Sequence, residues 1–520
     1  MIQGSEQLVF RTWAGRMSKA FDVICIGSGL SGLAFAASRL MKYPETRLLM
    51  LEKHSIVGGY ATQFVRPRHH ARFEVSMHKL SGMGTNGNLR QLLSRLGILD
   101  KLEWIFPETL FDARHSHSNI EFPKDGNTVA QILQQRFPSC AQGIRTIFED
   151  IRSHGYDGYM KFHILSGSYE VDLKRIRYAN TYLKTQTVWN AISMRISDPH
   201  LRELLCLPCG YVGAFPEQMS YLYFLHVWYA VLFGESAYVR GGSNALTSAL
   251  VQRIQELGGR IETKNEAVQV LINNDLCAYG VKTNTDTFFA NEIVVNAAPS
   301  YVLDRLIDSA LPGLDDVRAT FTATPTANST TSLYLVINGP PEQFGLMSEE
   351  SMLVAQNPIE AMAYREIARH FSINAAKCEQ AYWFESSIQV TNYHKLDPEC
   401  GCVVVVSALD MIHHWPQRKT DAYRSKKSRA KEALMTRLFN AYPALRGHVQ
   451  YAEVSTPITC LRYTGNPDGS GFGALVEPAS GKKKQWQFPI QGVRFVGHWV
   501  SGSGYEATIG YGTMLGSQDL

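Results

Sequence analysis

The feature that most constrains the fold is a short apolar run followed at once by closely spaced glycines. Residues 21–26 are apolar and partly β-branched, Gly27, Gly29 and Gly32 follow, and an alanine-rich stretch continues to Leu40. This order predicts a strand, a tight turn and a helix. Gly27 permits the turn, Gly29 lets a pyrophosphate approach the backbone, and Gly32 allows the helix to pack closely on the strand. The segment therefore predicts a dinucleotide-binding βαβ unit.

An acid at the expected distance supports this interpretation. A second strand is predicted at residues 47–51, and it ends at Glu52, about 20 residues beyond Gly32, where a carboxylate accepts hydrogen bonds from a ribose. A purely structural glycine turn is the alternative, because the chain has 41 glycines. The strand, helix and acid around the triplet favour the nucleotide site.

Length and composition set the class of protein. A chain of 520 residues predicts two or three domains. A net charge of +4, with 45% hydrophobic residues, argues against disorder and against a nucleic-acid binder. Nine cysteines predict no disulfide framework, and with no secretory signal they favour a reducing, cytoplasmic location. Residues 1–20 are interpreted as a leader, of which residues 1–16 are dispensable if Met17 is the natural start.

A second glycine pair extends the pattern towards a known group of flavoproteins. Lys53 follows Glu52, and Gly58-Gly59-Tyr-Ala-Thr62 resembles the segment that lines FAD in the amine oxidase and phytoene desaturase superfamily. The stretch from Arg72 to His78 is similar to the Phe-Asp-x-Gly-x-His motif of the carotenoid isomerase and retinol saturase branch. Glu74 and Ser76 replace the Asp and the Gly of that motif. The resemblance implies FAD as the cofactor and places His78 near it.

Later segments follow the same family in order. Residues 216–243 and 258–268 are similar to family motifs, and the resemblance implies that the backbone of Val268 contacts adenine. Near the carboxyl end, residues 493–499 and 507–510 resemble the last FAD motif, which assigns Gly497, His498 and Ile509 to the cofactor. His498 stands where many relatives have an acid, and a neutral imidazole can replace only part of that acid's hydrogen bonding.

The resemblance implies an α/β fold in which a discontinuous Rossmann-type FAD-binding domain is combined with a mixed α+β substrate domain. The FAD-binding domain is expected at residues 21–110, 235–300 and 456–520, and the substrate domain at residues 111–234 and 301–455.

The activity implied is FAD-dependent desaturation, saturation or isomerisation of carbon-carbon double bonds in a lipophilic, polyene-like substrate. The direction and the electron acceptor are left unassigned. His226, Tyr505 and Glu506 are the candidates for proton handling, although Glu506 could simply stabilise a helix N-terminus. An FAD-dependent amine or amino-acid oxidase is one alternative. A flavin-free binding protein that resembles Rab GDP-dissociation inhibitors is another, and the intact glycine triplet argues against it.

The remaining patterns concern the substrate and partners. The apolar run at residues 219–233 is a core helix or a wall of a substrate tunnel, and it is too short for a membrane span. Charge runs at residues 424–431 and 482–484 are interpreted as solvated surfaces, with an anionic membrane surface as the functional alternative. Cys206 and Cys209 are interpreted as structural thiols, and no metal site is predicted.

Overall fold

The computed structural model describes residues 19–115, 118–159, 177–179, 181–372, 376–478 and 488–519. Residues 1–16, which are interpreted as dispensable if Met17 is the natural start, and the charge run at residues 482–484 lie outside the described residues.

A five-stranded parallel sheet forms around the strand that leads into the glycine loop. Its four strands other than the edge strand Arg260–Glu262 are largely buried, as runs of Val, Ile and Leu in a parallel sheet require. Three separate parts of the chain contribute to it. In spatial order its strands are Val493–Phe495, Glu292–Val295, Val23–Ile26, Leu48–Leu51 and Arg260–Glu262.

A second, mixed sheet of seven strands lies in the other part of the molecule. Most of its pairs are antiparallel, and only Thr109–His115 and Glu350–Leu353 pair in parallel. In spatial order its strands are Val449–Ser455, Ser329–Ile337, Val403–Asp410, Ile388–Asn392, Glu350–Leu353, Thr109–His115 and Ser118–Pro123. The domain boundaries expected from the sequence stay a prediction.

The remaining strands of the described residues form smaller antiparallel sheets. One has three strands, and two have two strands each. They are Ala267–Ile272, Ala278–Thr283 and Thr287–Phe289, then Gln63–Arg66 with Ala71–Glu74, then Trp104–Ile105 with Tyr238–Val239.

Helices cover the sheets. The glycine-loop helix is Leu30–Lys42, the aromatic helix is Tyr221–Phe233 and the C-terminal helix is Tyr505–Gly516. The other α-helices are Asn88–Arg95, Gly126–Arg136, Ala141–Asp150, Tyr156–Tyr159, Val188–Ser193, Pro199–Cys206, Gly242–Glu256, Pro299–Arg305, Asp315–Thr322, Pro358–His370, Ala376–Glu385, Tyr393–Leu396, Asp421–Ala441, Pro457–Thr464 and His498–Ser501.

The aromatic helix combines both interpretations of its apolar run. Tyr221, Phe224 and Trp228 are fully buried in the core, whereas Tyr223 and His226 are half-buried and line a cavity. Along the described chain, no helix has the length and apolar content needed to cross a membrane.

The charge run at residues 424–431 lies in the helix Asp421–Ala441, and one of its members departs from the expected solvated surface. Lys426 is 3% exposed and lies 3.8 Å from the Glu379 carboxylate. Burial lowers the pKa of Lys426, which the charge of Glu379 partly offsets. Arg424 is exposed as predicted. Contact of this surface with a membrane stays a prediction.

Candidate functional site

A single large cavity connects the glycine loop with the aromatic helix and the seven-stranded sheet. Its volume is about 1910 Å³, whereas pockets for one small ligand have about 300–1,000 Å³. Glycine-loop residues and Glu52 line one part, and residues of the aromatic helix such as Tyr223 and Val227 line another. The cavity therefore has room for a dinucleotide and a second, apolar ligand.

The glycine loop has the geometry of a phosphate cradle. Gly27 has a φ of +89°, a conformation that L side chains rarely adopt. A Cβ atom at Gly29 would lie 2.3 Å from the side-chain nitrogen of Asn296. The glycine-loop helix begins after Gly29 with no acid in its first turn, and no side chain of the described residues caps it. Its first N–H groups can therefore bind an anion.

Glu52 is held at the carboxyl end of the second strand. It is 6% exposed and lines the cavity. Its Oε2 accepts hydrogen bonds from the Ser28 backbone N–H at 3.0 Å and the Ser28 hydroxyl at 2.6 Å. Its Oε1 accepts one from the backbone N–H of His54 at 2.8 Å. These contacts orient the carboxylate beside the glycine loop, where a ribose diol is expected.

Asn296 is a site residue that sequence reasoning missed. It follows the strand Glu292–Val295, and its side chain also approaches the terminal motif, since a Cβ atom at Gly497 would lie 2.7 Å from its Oδ1. Asn296 therefore lies between Gly29 and Gly497. A polar residue at the carboxyl end of a buried parallel strand was the signal that could have identified it.

His498 lies at the cavity wall beside Gly497. Burial lowers its pKa to about 4, so the imidazole is neutral near pH 7. Its Nε2 is 3.3 Å from the Asn466 side-chain nitrogen, and its ring is 6.2 Å from that of Tyr60. A neutral imidazole here can exchange a hydrogen bond with a cofactor.

Most of the proposed cofactor residues share this cavity, and three do not line it. Gly32 packs against the backbone of Gly27, Ile509 is buried in the core, and the Val268 side chain is 40% exposed. Cofactor contacts of all these residues stay predictions. Those that line the cavity are Gly27, Gly29, Glu52, Lys53, Gly58, Gly59, Thr62, His78, Gly497 and His498.

The three candidates for proton handling also line the cavity. Burial raises the pKa of Glu506 to about 7, although hydrogen bonds from Asn88 and Ser81 lower that pKa in part. The Tyr505 hydroxyl contacts the hydroxyls of Ser76 at 2.9 Å and Ser243 at 3.2 Å. The His226 ring packs against Gly158, where a Cβ atom would lie 2.0 Å from its Nε2. Their catalytic roles stay predictions.

The cysteines show no redox or metal arrangement. All nine are free thiols. Burial raises the pKa of Cys206 and of Cys209 well above the usual value, which keeps both in the unreactive thiol form. Within the described residues, no cluster of His, Cys, Asp and Glu could hold a metal ion.

Sequence comparison finds relatives along nearly the whole chain. The NAD(P)-binding Rossmann-like domain family matches residues 25–96. All-trans-retinol 13,14-reductase from Danio rerio is 21% identical over 496 residues, covering 89% of this chain and 79% of that protein. Prolycopene isomerase 1, chloroplastic, from an Oncidium hybrid cultivar is 24% identical over 482 residues, which cover 88% of this chain and 76% of that protein. Phytoene desaturase (neurosporene-forming) from Rhodobacter capsulatus is 24% identical over 290 residues, which cover 55% of this chain and 54% of that protein.

The chain is homologous to these enzymes. This confirms the predicted relationship to the retinol saturase, carotenoid isomerase and phytoene desaturase group.

Solved structures show the same fold. An oxidoreductase from Methanosarcina mazei superposes with a TM-score of 0.61 at 17% identity, covering 95% of this chain and 99% of that one. Cyclohexylamine oxidase from Brevibacterium oxydans superposes with a TM-score of 0.61 at 14% identity, covering 95% of this chain and 98% of that one. The α/β fold class with a Rossmann-type unit is thereby confirmed.

Proposed function

We propose that this protein is an FAD-dependent oxidoreductase that desaturates, saturates or isomerises carbon-carbon double bonds of a hydrophobic polyene. The observation that carries the proposal is the continuity of one cavity from the glycine loop to the aromatic helix. The homology to enzymes whose names specify retinol, prolycopene and phytoene supports a polyene as substrate.

The residues present fit an FAD molecule. The uncapped start of the glycine-loop helix would offer N–H groups to the pyrophosphate, and the oriented Glu52 side chain would accept hydrogen bonds from the ribose. Gly497 approaches the Asn296 side chain, and both Gly497 and His498 of the terminal motif line the same cavity. Once bound, the flavin would accept or supply two electrons as a hydride.

The aromatic helix would hold the substrate. Tyr223, Val227 and Val231 line the cavity with largely apolar surface. This surface favours a hydrocarbon chain over a small charged amine.

FAD binding is tested by reconstituting the purified protein with FAD and recording its absorbance after gel filtration. We expect flavin bands at one FAD per chain. Gly29→Asp should abolish them, because its Cβ would lie 2.3 Å from the Asn296 side-chain nitrogen and its carboxylate would add negative charge beside the proposed pyrophosphate site. Gly210→Asp is the matched control, since Gly210 lines the same cavity and its Cβ would contact nothing. Stoichiometric FAD in Gly29→Asp would refute this placement, and no flavin bands in the wild-type protein would favour a flavin-free binding protein.

The reaction class is tested anaerobically with the FAD-loaded protein. Reduction of oxidised flavin by a carotenoid or retinoid, or reoxidation of dithionite-reduced flavin by one, would support a polyene oxidoreductase and report its direction. Release of hydrogen peroxide with a primary amine, without any response to polyenes, would instead identify an amine oxidase.

A further inference from the structure

A buried carboxylate lies behind the cavity wall and receives hydrogen bonds from several cavity-lining side chains. The side chain of Glu350 is 1% exposed. Its Oε2 lies 3.2 Å from Nδ1 of His78 and 3.0 Å from Nζ of Lys79. Its Oε1 accepts from the Tyr211 hydroxyl at 2.6 Å and from the Gln389 side-chain nitrogen at 3.1 Å. We call these five residues the Glu350 cluster.

Several elements fix the position of His78. The Tyr393 hydroxyl donates to the carbonyl of Met77 at 2.6 Å. Leu80 exchanges two backbone hydrogen bonds with Ala237 at 2.8 and 2.9 Å. The His78 ring stacks on that of Tyr211, with centroids 5.0 Å apart and planes inclined by 19°. Hydrogen bonds therefore fix the backbone on either side of His78, and Tyr211 packs against one face of its ring.

The charges of the cluster determine which nitrogen of His78 carries the proton. Burial would raise the pKa of Glu350, but the charges of Lys79 and His78 outweigh it and hold the pKa at about 2. Glu350 is therefore an ionised acceptor near neutral pH. Since an ionised carboxylate cannot donate, Nδ1 of His78 must donate to it.

Nε2 is then the ring nitrogen that is left to contact a ligand. His78 lines the cavity, and in the described part of the chain Nε2 has no hydrogen-bond partner. A neutral ring presents a lone pair there, and a protonated ring presents an N–H. A histidine held by a carboxylate on Nδ1, with Nε2 directed at the reactant, is the arrangement of a general acid and base.

We propose that His78 transfers the proton at the substrate carbons and that Glu350 is its positioning residue. This role goes beyond the cofactor contact predicted for His78, and it rests on the proposed function. In saturation, the π electrons of the double bond would form a C–H bond with the proton from Nε2, while the neighbouring carbon receives the hydride. His78 would be left neutral and regain a proton from water. In desaturation, Nε2 would accept the proton from one carbon, the electron pair of that C–H bond would form the double bond, and the neighbouring carbon would give up a hydride to the oxidised flavin.

The first test needs no substrate and no bound flavin. Nitrogen NMR of histidine-labelled protein reports the tautomer of each ring, with the His78 signals assigned by their loss in His78→Gln. We expect Nδ1 of His78 to be protonated and to lose its carboxylate-bonded shift in Glu350→Gln. The exposed pair His370 and Glu366, 3.3 Å apart, provides the matched controls His370→Gln and Glu366→Gln. A neutral His78 ring protonated only on Nε2 would overturn the proposal.

The second test measures single turnovers of the FAD-loaded protein with a polyene that the wild type converts. We expect His78→Gln, measured at saturating FAD and polyene and compared per bound flavin, to slow the step by about 10²- to 10⁴-fold. Glu350→Gln should slow it on the order of 10²-fold and change its solvent isotope effect, which mere loss of packing would not do. If no polyene reacts with the wild type, the proposed function fails; if the wild type reacts and His78→Gln keeps its rate, this inference fails alone.

Discussion

Ser28 binds Glu52 twice, through its backbone N–H at 3.0 Å and through its hydroxyl at 2.6 Å, both to Oε2. The middle of the glycine loop is therefore joined to the end of the neighbouring strand by the carboxylate proposed to hold the ribose. Loop and acid form one preorganised unit, so that binding requires little rearrangement of either.

Replacing Glu52 by glutamine should weaken FAD binding because a charged acceptor is lost. A hydrogen bond to a charged group contributes about 1.5–3 kcal/mol, or roughly 10- to 100-fold in Kd. Titration with FAD, followed by flavin fluorescence, measures the change. Glu262→Gln is the control, since Glu262 ends the adjacent strand but does not line the cavity. Equal dissociation constants for the two variants would exclude the ribose role.

Gly512→Ala should destabilise the protein and loosen the cofactor site. A Cβ atom at Gly512 would lie 2.1 Å from the backbone oxygen of Ser31, so the C-terminal helix would have to move away from the glycine-loop helix. Overpacking of this kind costs about 1–3 kcal/mol. Urea denaturation measures it, with Gly210→Ala as the control because its Cβ would meet nothing. A midpoint for Gly512→Ala that matches the control would show that the two helices separate without cost.

The sequence predicted those parts of the fold that depend on local pattern. The strand Val23–Ile26, the glycine loop and Glu52 are close together in the chain, and their spacing alone indicates their geometry. The long helix Gly242–Glu256 begins where Gly241 and Gly242 adopt positive φ, a conformation that glycine accepts readily. Hydrophobic periodicity locates such elements but does not determine which ends meet.

Contacts between distant segments were not predictable, because hydrophobic periodicity does not show which elements pack together. His78 and Glu350 are 272 residues apart and belong to different parts of the fold. Asn296 is placed beside Gly29 and Gly497 only by the strand order of the parallel sheet. Lys426 belongs to a charge run that looks solvated, yet tertiary packing places it 3.8 Å from Glu379. In each case a polar residue gains its partner from packing, which a single sequence does not encode locally.

Glu506 should make the protein less stable as the pH rises through the weakly acidic range. Burial raises its pKa from 4.5 to about 7. Between these values the unfolded chain loses the proton while the folded protein keeps it, so the free energy of unfolding falls from about pH 4.5 to about pH 7. Urea denaturation at several pH values should show that Glu506→Gln removes this contribution. Parallel stability curves for wild type and variant across that window would contradict the raised pKa.

Arg365→Met should be strongly destabilising because the buried Glu203 and the largely buried Glu217 lose their partner. The guanidinium binds Glu203 at 2.7 and 3.1 Å and Glu217 at 2.8 Å, and the charges of both acids raise its pKa although burial opposes them. Removing one member of a buried ion pair costs about 3–5 kcal/mol.

Arg369→Met is the matched control for this variant, because Arg369 lies one turn further along the same helix and pairs with the exposed Glu366. Such a surface pair contributes about 0–1 kcal/mol. Adding Glu203→Gln and Glu217→Gln to Arg365→Met should recover part of the loss, since neutral amides need no counter-charge. If Arg365→Met unfolds at the same urea concentration as Arg369→Met, the ion pairs of Arg365 with Glu203 and Glu217 contribute no more to stability than a surface ion pair.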